Sequence, residues 1–104
     1  MYVKVVQDTL KTHLCRDYSR WAMSCGDEQP KFAGYNIYVK DSDVIDQTLI
    51  ARETYTYMSE YLVIIGTSKQ GKLAMDYNGN LYNCGKTLRR IDKTFKNFVE
   101  RLSA

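Results

Sequence analysis

Tyr61-Leu62-Val63-Ile64-Ile65-Gly66-Thr67, together with the segments that follow it as far as Cys84, decides the fold of this 104-residue chain. Its apolar part, Leu62 to Ile65, is short, rich in β-branched residues and free of charge, which is typical of a strand buried on both faces. A polar turn from Ser68 to Gly71 leads into a second strand. The pair Asn78-Gly79 then predicts a type I′ hairpin into a third strand, because both residues tolerate positive φ. We therefore expect three consecutive antiparallel strands.

The N-terminal segment carries apolar residues at three- and four-residue steps, which predicts one helix, or two helices with a bend near Leu14-Cys15. These residues are Val3, Val6, Leu10, Leu14, Tyr18, Trp21 and Cys25. Gly26 follows the last of them and is suited to end a helix. Because β-branched valines crowd the first turn, a strand over the first six residues stays an alternative.

The middle of the chain alternates between turn signals and short periodic segments. Gly26 to Gly34 contains the only proline and is predicted to be a loop. Tyr35 to Val39 alternates as a strand does. Asp41-Ser42-Asp43 is expected to cap a short helix that bears Val44, Ile45 and Leu49. Residues 50–60 have no predicted structure.

The C-terminal part predicts a fourth strand over Lys86 to Ile91 and a helix over Asp92 to Leu102. Phe95, Phe98, Val99 and Leu102 form the apolar face of that helix, with Asp92 or Thr94 as its cap. The fold class is therefore predicted as α+β. We expect one domain over residues 1–104, with a four- to five-stranded, mainly antiparallel sheet on which the N-terminal and C-terminal helices pack.

Composition indicates an ordinary globular protein, with 26% charged and 44% hydrophobic residues and a net charge of +3. No apolar run approaches the ~20 residues that cross a bilayer, and the first residues lack the apolar core of a signal peptide. A cytoplasmic location is expected.

The chain has three cysteines, Cys15, Cys25 and Cys84. Their odd number and wide spacing favour reduced thiols over a disulfide framework. Nine tyrosines make the chain rich in a residue that is enriched at interfaces.

No catalytic constellation is evident. His13 is the only histidine and has no recognisable nucleophile partner. A zinc site of His13 with the three cysteines would lack the closely spaced ligand pairs of structural zinc sites, and the cluster Asp41, Asp43 and Asp46 lacks the glycine and glutamate of a calcium loop. We expect no enzyme activity, no metal and no cofactor. An enzyme stays possible only with a cleft around His13 or Asp76.

Basic residues gather in the last twenty positions and suggest an alternative function. Arg89, Arg90, Lys93 and Lys96 lie near Tyr77 and Tyr82 in sequence, and a basic groove with aromatic platforms is how single-stranded nucleic acids are bound. A solvated helix face explains the same charges without a ligand. Nucleic acid is therefore the less favoured partner.

The C-terminal half has a central apolar strand ending in glycine, a turn of small residues, two further strands and a closing Phe-x-x-Phe helix. The positions are Leu62 to Gly66, Ser68 to Gly71, Leu73 to Asp76, Leu81-Tyr82, and Phe95 with Phe98 and Leu102. This order resembles the SUKH superfamily. In the N-terminal half, Leu14, Asp17, Tyr18 and Trp21 resemble the helix of that family, and Gly34 to Tyr38 resembles its Gly-x-x-Ile-Tyr strand.

The resemblance spans about residues 10 to 102 and has three departures. Cys15 stands where the family usually has proline, and Gln70-Gly71-Lys72 replaces a glycine-rich turn that commonly ends in an acidic residue. The leading helix is also shorter than usual, so the N-terminal match is weaker than the C-terminal one.

The resemblance implies a non-enzymatic protein-binding module, often an immunity protein that neutralises a cognate bacterial toxin by direct contact. The chain is basic, whereas many immunity proteins against nucleases are acidic, so a nuclease is a less favoured partner. A phage or mobile-element context is equally compatible, and the protein is expected as a monomer or homodimer without membrane attachment. The polar connector and turn residues predicted to bind the partner are Tyr38, Tyr55, Tyr57, Lys69, Gln70 and Lys72.

Overall fold

The computed structural model describes residues 1–103, which form four helices and one six-stranded antiparallel sheet. The helices are α1 (Val3–Leu10), α2 (Arg16–Cys25), α3 (Asp41–Thr54) and α4 (Phe95–Ser103). The strands are β1 (Lys31–Phe32), β2 (Tyr35–Ile37), β3 (Val63–Ser68), β4 (Gly71–Met75), β5 (Leu81–Cys84) and β6 (Leu88–Asp92). The strands follow one another across the sheet in chain order. The α+β prediction is confirmed, and the strand count is higher than the predicted four to five because the Gly26 to Gly34 loop contributes β1.

Strand β3 is buried on both faces, as predicted. Val63 and Ile65 point to one face and Ile64 to the other, and all three are at most 1% exposed. Gly66 follows them and pairs with Ile37 of the neighbouring strand β2. A Cβ at this position would overlap the carbonyl oxygen of Asn36. The glycine at the end of the apolar strand therefore allows β2 and β3 to pair closely.

One side of the sheet, called here the helical face, is covered by α1, α2, α4 and the start of α3. The predicted N-terminal stripe forms two helices, and the strand alternative over the first six residues is wrong. Helix α1 ends at Lys11, whose φ of 58° lies in the left-handed region. The Tyr18 ring meets Phe95 edge to face at 5.2 Å, and its hydroxyl donates a hydrogen bond to the Tyr38 carbonyl oxygen at 2.6 Å. Helix α2 is thus tied both to α4 and to the end of β2.

Helix α3 passes from the helical face to the opposite face of the sheet. Val44 belongs to the core of the first face and Ala51 to that of the second. Between them, the fully buried Thr48 hydroxyl accepts a hydrogen bond from the Ile64 backbone N–H at 2.8 Å. Strand β2 ends at Ile37, so α3 takes the place of a strand beside the first half of β3.

The predictions for this helix were partly wrong. It has 14 residues and extends into the segment that had no predicted structure. Asp41 and Asp43 lie in its first turn, where the helix dipole favours negative charge, and no side chain caps the helix. Leu49, placed on the apolar face, is 44% exposed because the buried positions are Val44, Thr48 and Ala51.

The predicted type I′ turn at Asn78-Gly79 is also wrong. The Asp76 N–H donates to the Asn80 carbonyl oxygen at 3.2 Å, so the loop has three residues between the paired positions. Gly79 has a φ of 91°, whereas Asn78 is not among the residues with positive φ. This is the pattern of a three-residue hairpin loop with glycine at its left-handed position. The Asp76 carboxylate organises the loop by accepting hydrogen bonds from the backbone N–H groups of Asn78 and Asn80, both at 3.0 Å.

The C-terminal predictions are confirmed in outline. Strand β6 places Leu88 toward one face and Ile91 toward the other. The Thr94 hydroxyl accepts a hydrogen bond from the Asn97 N–H at 3.0 Å and so caps α4, which buries Phe95 and Phe98. None of the helices within residues 1–103 is long and apolar enough to span a membrane.

Candidate interaction surface

The second face of the sheet is covered by a layer of aromatic side chains. Beneath the layer lie four small or branched side chains that are at most 1% exposed: Ala51, Ile64, Ala74 and Cys84. Above them pack four half-buried tyrosines, which we call the tyrosine face: Tyr38, Tyr55, Tyr57 and Tyr82. Met58 and Leu88 complete the layer. Each tyrosine therefore has one side in the protein and one side open to a partner.

The tyrosine face forms because the chain turns back after α3. Tyr55 and Tyr57 belong to this turn rather than to a strand, and their rings stack in parallel at 5.1 Å with 12° between the planes. The Tyr57 hydroxyl donates a hydrogen bond to the Gly85 carbonyl oxygen at 2.8 Å. This bond fixes the ring across the β5 end of the sheet, and Tyr55 stacks on a ring that is already held.

Burial changes the protonation behaviour of groups under this layer. Burial, followed by the proximity of Cys84, raises the pKa of the Tyr57 hydroxyl well above its ordinary value. Burial also raises the pKa of the Cys84 thiol, although the nearby Tyr57 and Lys72 oppose that shift. The shift favours the neutral thiol, which is 1% exposed and packs beneath the tyrosines.

At the other end of the face, Tyr82 interacts with the Asp76 loop. Its hydroxyl donates to the Asp76 carboxylate at 3.2 Å, and burial together with that carboxylate raises the pKa of Tyr82. Tyr61 is 54% exposed and close enough to contribute to the same shift. Arg90 lies directly across from Tyr82 on β6. The face thus ends in the half-buried Tyr82, with the cationic Arg90 opposite it on β6.

The structure gathers most residues of the predicted partner-binding set on one side. Lys72 pairs with Cys84 across β4 and β5, so it shares the side of Tyr55 and Tyr57, and its ammonium donates to the Gln47 side-chain oxygen at 2.7 Å. Tyr38 contacts the cores of both faces. Lys69 and Gln70 are exposed in the turn between β3 and β4, at the end of the sheet next to Lys72.

The predicted nucleic-acid set does not form one patch. Arg89 and Arg90 are neighbours in a strand and point to opposite faces. Lys93 and Lys96 lie beyond the far end of β6, where Lys96 borders a groove with the acidic Asp17 and Glu100. The four basic residues are therefore close in sequence, but their positive charges are not gathered at one place on the surface.

His13 and Asp76, the two positions at which a cleft would keep an enzyme possible, lie in an open surface depression and at a hairpin loop, respectively. His13 is exposed in a shallow depression with Gln7, Asp8 and Lys11. Both carboxylate oxygens of Asp76 are occupied by hydrogen bonds within the hairpin. Cys15, Cys25 and Cys84 are free thiols, and within residues 1–103 no three His, Cys, Asp or Glu side chains are grouped as metal ligands are.

Sequence reasoning missed Tyr82 and Arg90 as parts of the tyrosine face. Alternation along β5 places Tyr82 and Cys84 on the same side, and this signal was present in the sequence. The sequence could not show whether that side is covered or exposed, because this depends on α3 leaving the face open over β5 and β6.

The chain matches no protein family model, no curated protein and no solved structure. The geometry described above is therefore the basis for any functional conclusion.

Proposed function

We propose that this protein is a non-enzymatic protein-binding module, an immunity protein that neutralises a cognate bacterial toxin in the cytoplasm by direct contact through the tyrosine face. The observation that carries the proposal is the stacked pair Tyr55 and Tyr57, which lies half exposed on the side of the sheet opposite α1, α2 and α4. The resemblance to the SUKH superfamily names the class of partner.

The tyrosine face has the composition of a binding surface. Tyrosine offers a large contact area at low conformational cost, and its hydroxyl can bond with a partner when the ring is covered. Tyr55 stacks on Tyr57, which is itself bonded to Gly85, so little order has to be gained on binding. A rigid aromatic centre of this kind is typical of interface hot spots.

Charged residues around the tyrosines suggest what the partner presents. Lys72 and Arg90 flank the face on β4 and β6. Complementary charge favours a partner with an acidic border around an apolar centre. This expectation agrees with the net charge of +3.

The test is co-expression with the product of the reading frame that adjoins the gene, followed by purification of the complex and measurement of growth protection. We expect a stoichiometric complex, and we expect Tyr55→Ala with Lys72→Glu to weaken binding by at least about 30-fold, as for a hot spot. Tyr77→Ala is the matched control, because Tyr77 is 55% exposed but lies in the Asp76–Asn80 loop. Equal binding by the control and the double variant would reject the tyrosine face as the contact surface.

Nucleic-acid binding is the second candidate, through Arg90 of the predicted set, since Arg89, Lys93 and Lys96 lie elsewhere on the molecule. The observation that favours it is Arg90 beside the half-exposed Tyr82, since a cation next to an aromatic ring is a platform for an unpaired base. Fluorescence anisotropy with labelled single-stranded DNA tests it. This function requires affinity that falls steeply with salt and that Arg90→Gln reduces. A flat titration at low salt would eliminate it.

A further inference from the structure

A polar surface depression lies at the end of the sheet where the β3–β4 and β5–β6 turns meet. Its volume is about 290 Å³. Six residues line it: Gln70, Asn83, Gly85, Lys86, Thr87 and Arg89. We call it the hairpin-end pocket. It combines residues that sequence reasoning had divided between two candidate surfaces, namely Gln70 and Arg89.

The floor of the pocket is a hydrogen-bonded amide network. Asn83 is only 9% exposed, and its amide N–H donates to the Gln70 side-chain oxygen at 3.0 Å. The Ser68 hydroxyl donates to the Asn83 side-chain oxygen at 3.3 Å. Because the Gln70 oxygen is occupied, the group that Gln70 offers to a ligand is its amide N–H₂, a donor.

The walls of the pocket supply unopposed positive charge. Within residues 1–103, neither Lys86 nor Arg89 forms an ion pair or a side-chain hydrogen bond, and no acidic residue lines the pocket. Lys69 lies on the neighbouring turn between β3 and β4.

We infer that the hairpin-end pocket binds a doubly charged phosphate group, either inorganic phosphate or a phosphate monoester. Two cations match two negative charges, and the Arg89 fork, the Lys86 ammonium, the Gln70 amide and the Thr87 hydroxyl offer more donors than a carboxylate can accept. No aromatic side chain lines the pocket, so a nucleobase has no platform there. The phosphate itself is the recognised group.

The hairpin-end pocket meets the tyrosine face at Gly85, whose carbonyl oxygen accepts the Tyr57 hydrogen bond. Its Arg89, however, pairs with Asn83 on the side of the sheet opposite Tyr82 and Cys84. Arg89→Gln should therefore weaken phosphate binding and leave partner binding through the tyrosine face unchanged. With this variant, failure of the phosphate proposal is distinguished from failure of the proposed function.

The experiment is a titration of the full chain with sodium phosphate, followed by amide chemical shifts in ¹⁵N-labelled protein at constant pH and ionic strength. We expect saturable shifts at Gly85, Lys86, Thr87 and the Gln70 side-chain amide. Arg89→Gln and Lys86→Gln should each weaken binding about tenfold, as for loss of a charge-assisted hydrogen bond. Lys93→Gln is the matched control, because it removes the same charge past the end of β6, roughly 13 Å from Arg89 and beyond the screening length.

Acetate and a dinucleotide phosphodiester serve as competing probes in the same titration. Binding of acetate equal to that of phosphate would show that the pocket takes carboxylates, and equal or tighter binding of the phosphodiester would point to a nucleic-acid backbone. Either result overturns the proposal, as do shifts that never saturate or that persist in both pocket variants. Selective phosphate binding that both pocket variants weaken, and Lys93→Gln does not, supports it.

Discussion

The two faces of the sheet are built from different residues and are covered to different extents. The helical face buries Phe95, Phe98 and Tyr18 completely or almost so under α2 and α4. The tyrosine face has the same strands beneath it, but its covering rings stay half exposed and end in hydroxyl groups. One face of this small sheet therefore holds most of the hydrophobic core, whereas the rings on the other face stay partly exposed.

The largest expected difference between the faces is in stability. Phe98 is fully buried and meets the Tyr35 ring edge to face at 5.0 Å. Phe98→Ala should lower the free energy of unfolding by about 3–5 kcal/mol through lost burial and a cavity. Tyr55→Ala, on the half-exposed face, should cost less than about 1.5 kcal/mol. Urea denaturation measures both, and equal losses would contradict the division of roles.

The next effect lies where α3 crosses between the faces. Thr48→Val keeps the shape of the side chain but removes the acceptor for the buried Ile64 N–H. We expect a loss of about 1–3 kcal/mol, because that donor is left without a partner. Thr48→Ser keeps the hydroxyl and is the control. If valine were tolerated better than serine, packing rather than the hydrogen bond would hold α3 in place.

The third prediction concerns pH. Burial, with the Asp43 carboxylate second, raises the pKa of Tyr18 on the helical face, and burial raises that of Tyr57 on the other. The folded pKa exceeds the unfolded value of about 10 in both cases, so the contribution of each neutral hydroxyl is complete below pH 10 and is lost as pH rises above it. Stability measured against pH should be insensitive to these groups near neutrality and fall in the alkaline range.

Tyr57→Phe tests this prediction further, because it removes one of the two tyrosine hydroxyl groups. The variant should lose about 0.5–1.5 kcal/mol at pH 7, since its hydrogen bond to Gly85 is gone. Its stability should also decline less steeply above pH 10 than that of the parent. An unchanged alkaline slope would show that Tyr57 ionises as freely in the folded protein as in the unfolded chain.

The smallest effect is expected at the rim of the helical face. Arg101 and Asp92 form an ion pair at 3.3 Å, the one salt bridge found in the described residues, and the Arg101 side chain is 58% exposed. Arg101→Gln should cost no more than about 1 kcal/mol, and salt should reduce the difference further. Thermal unfolding at two salt concentrations checks this, and a large salt-independent loss would contradict it.

The sequence predicted those parts of the fold that depend on local pattern. The apolar run of β3, the helical stripe ending at Gly26 and the Phe-x-x-Phe face of α4 each have a clear period. The Asn78-Gly79 turn was misjudged because Asp76 supplies a carboxylate that stabilises a longer loop. The length of α3 was misjudged because its buried positions include a threonine, whose partner is a distant backbone N–H.

The candidate surfaces were harder to predict, since both depend on pairing between distant segments. Tyr55, Tyr57 and Lys72 were predicted as partner-binding residues from their connector and turn positions, but only strand register brings Lys72 opposite Cys84. The basic residues of the C-terminus were close in sequence and are divided by the two faces of β6. Alternation shows which residues share a side and does not show what covers that side.

The most direct test of the central claim separates binding from folding. It is a titration calorimetry measurement of the co-expressed partner with Tyr55→Ala Lys72→Glu, compared with Tyr77→Ala, after urea denaturation has shown that both variants are folded. The account predicts that the first variant loses at least about 30-fold in affinity while the second binds as the parent does. Parent-like affinity of the folded double variant would show that the tyrosine face does not bind the partner.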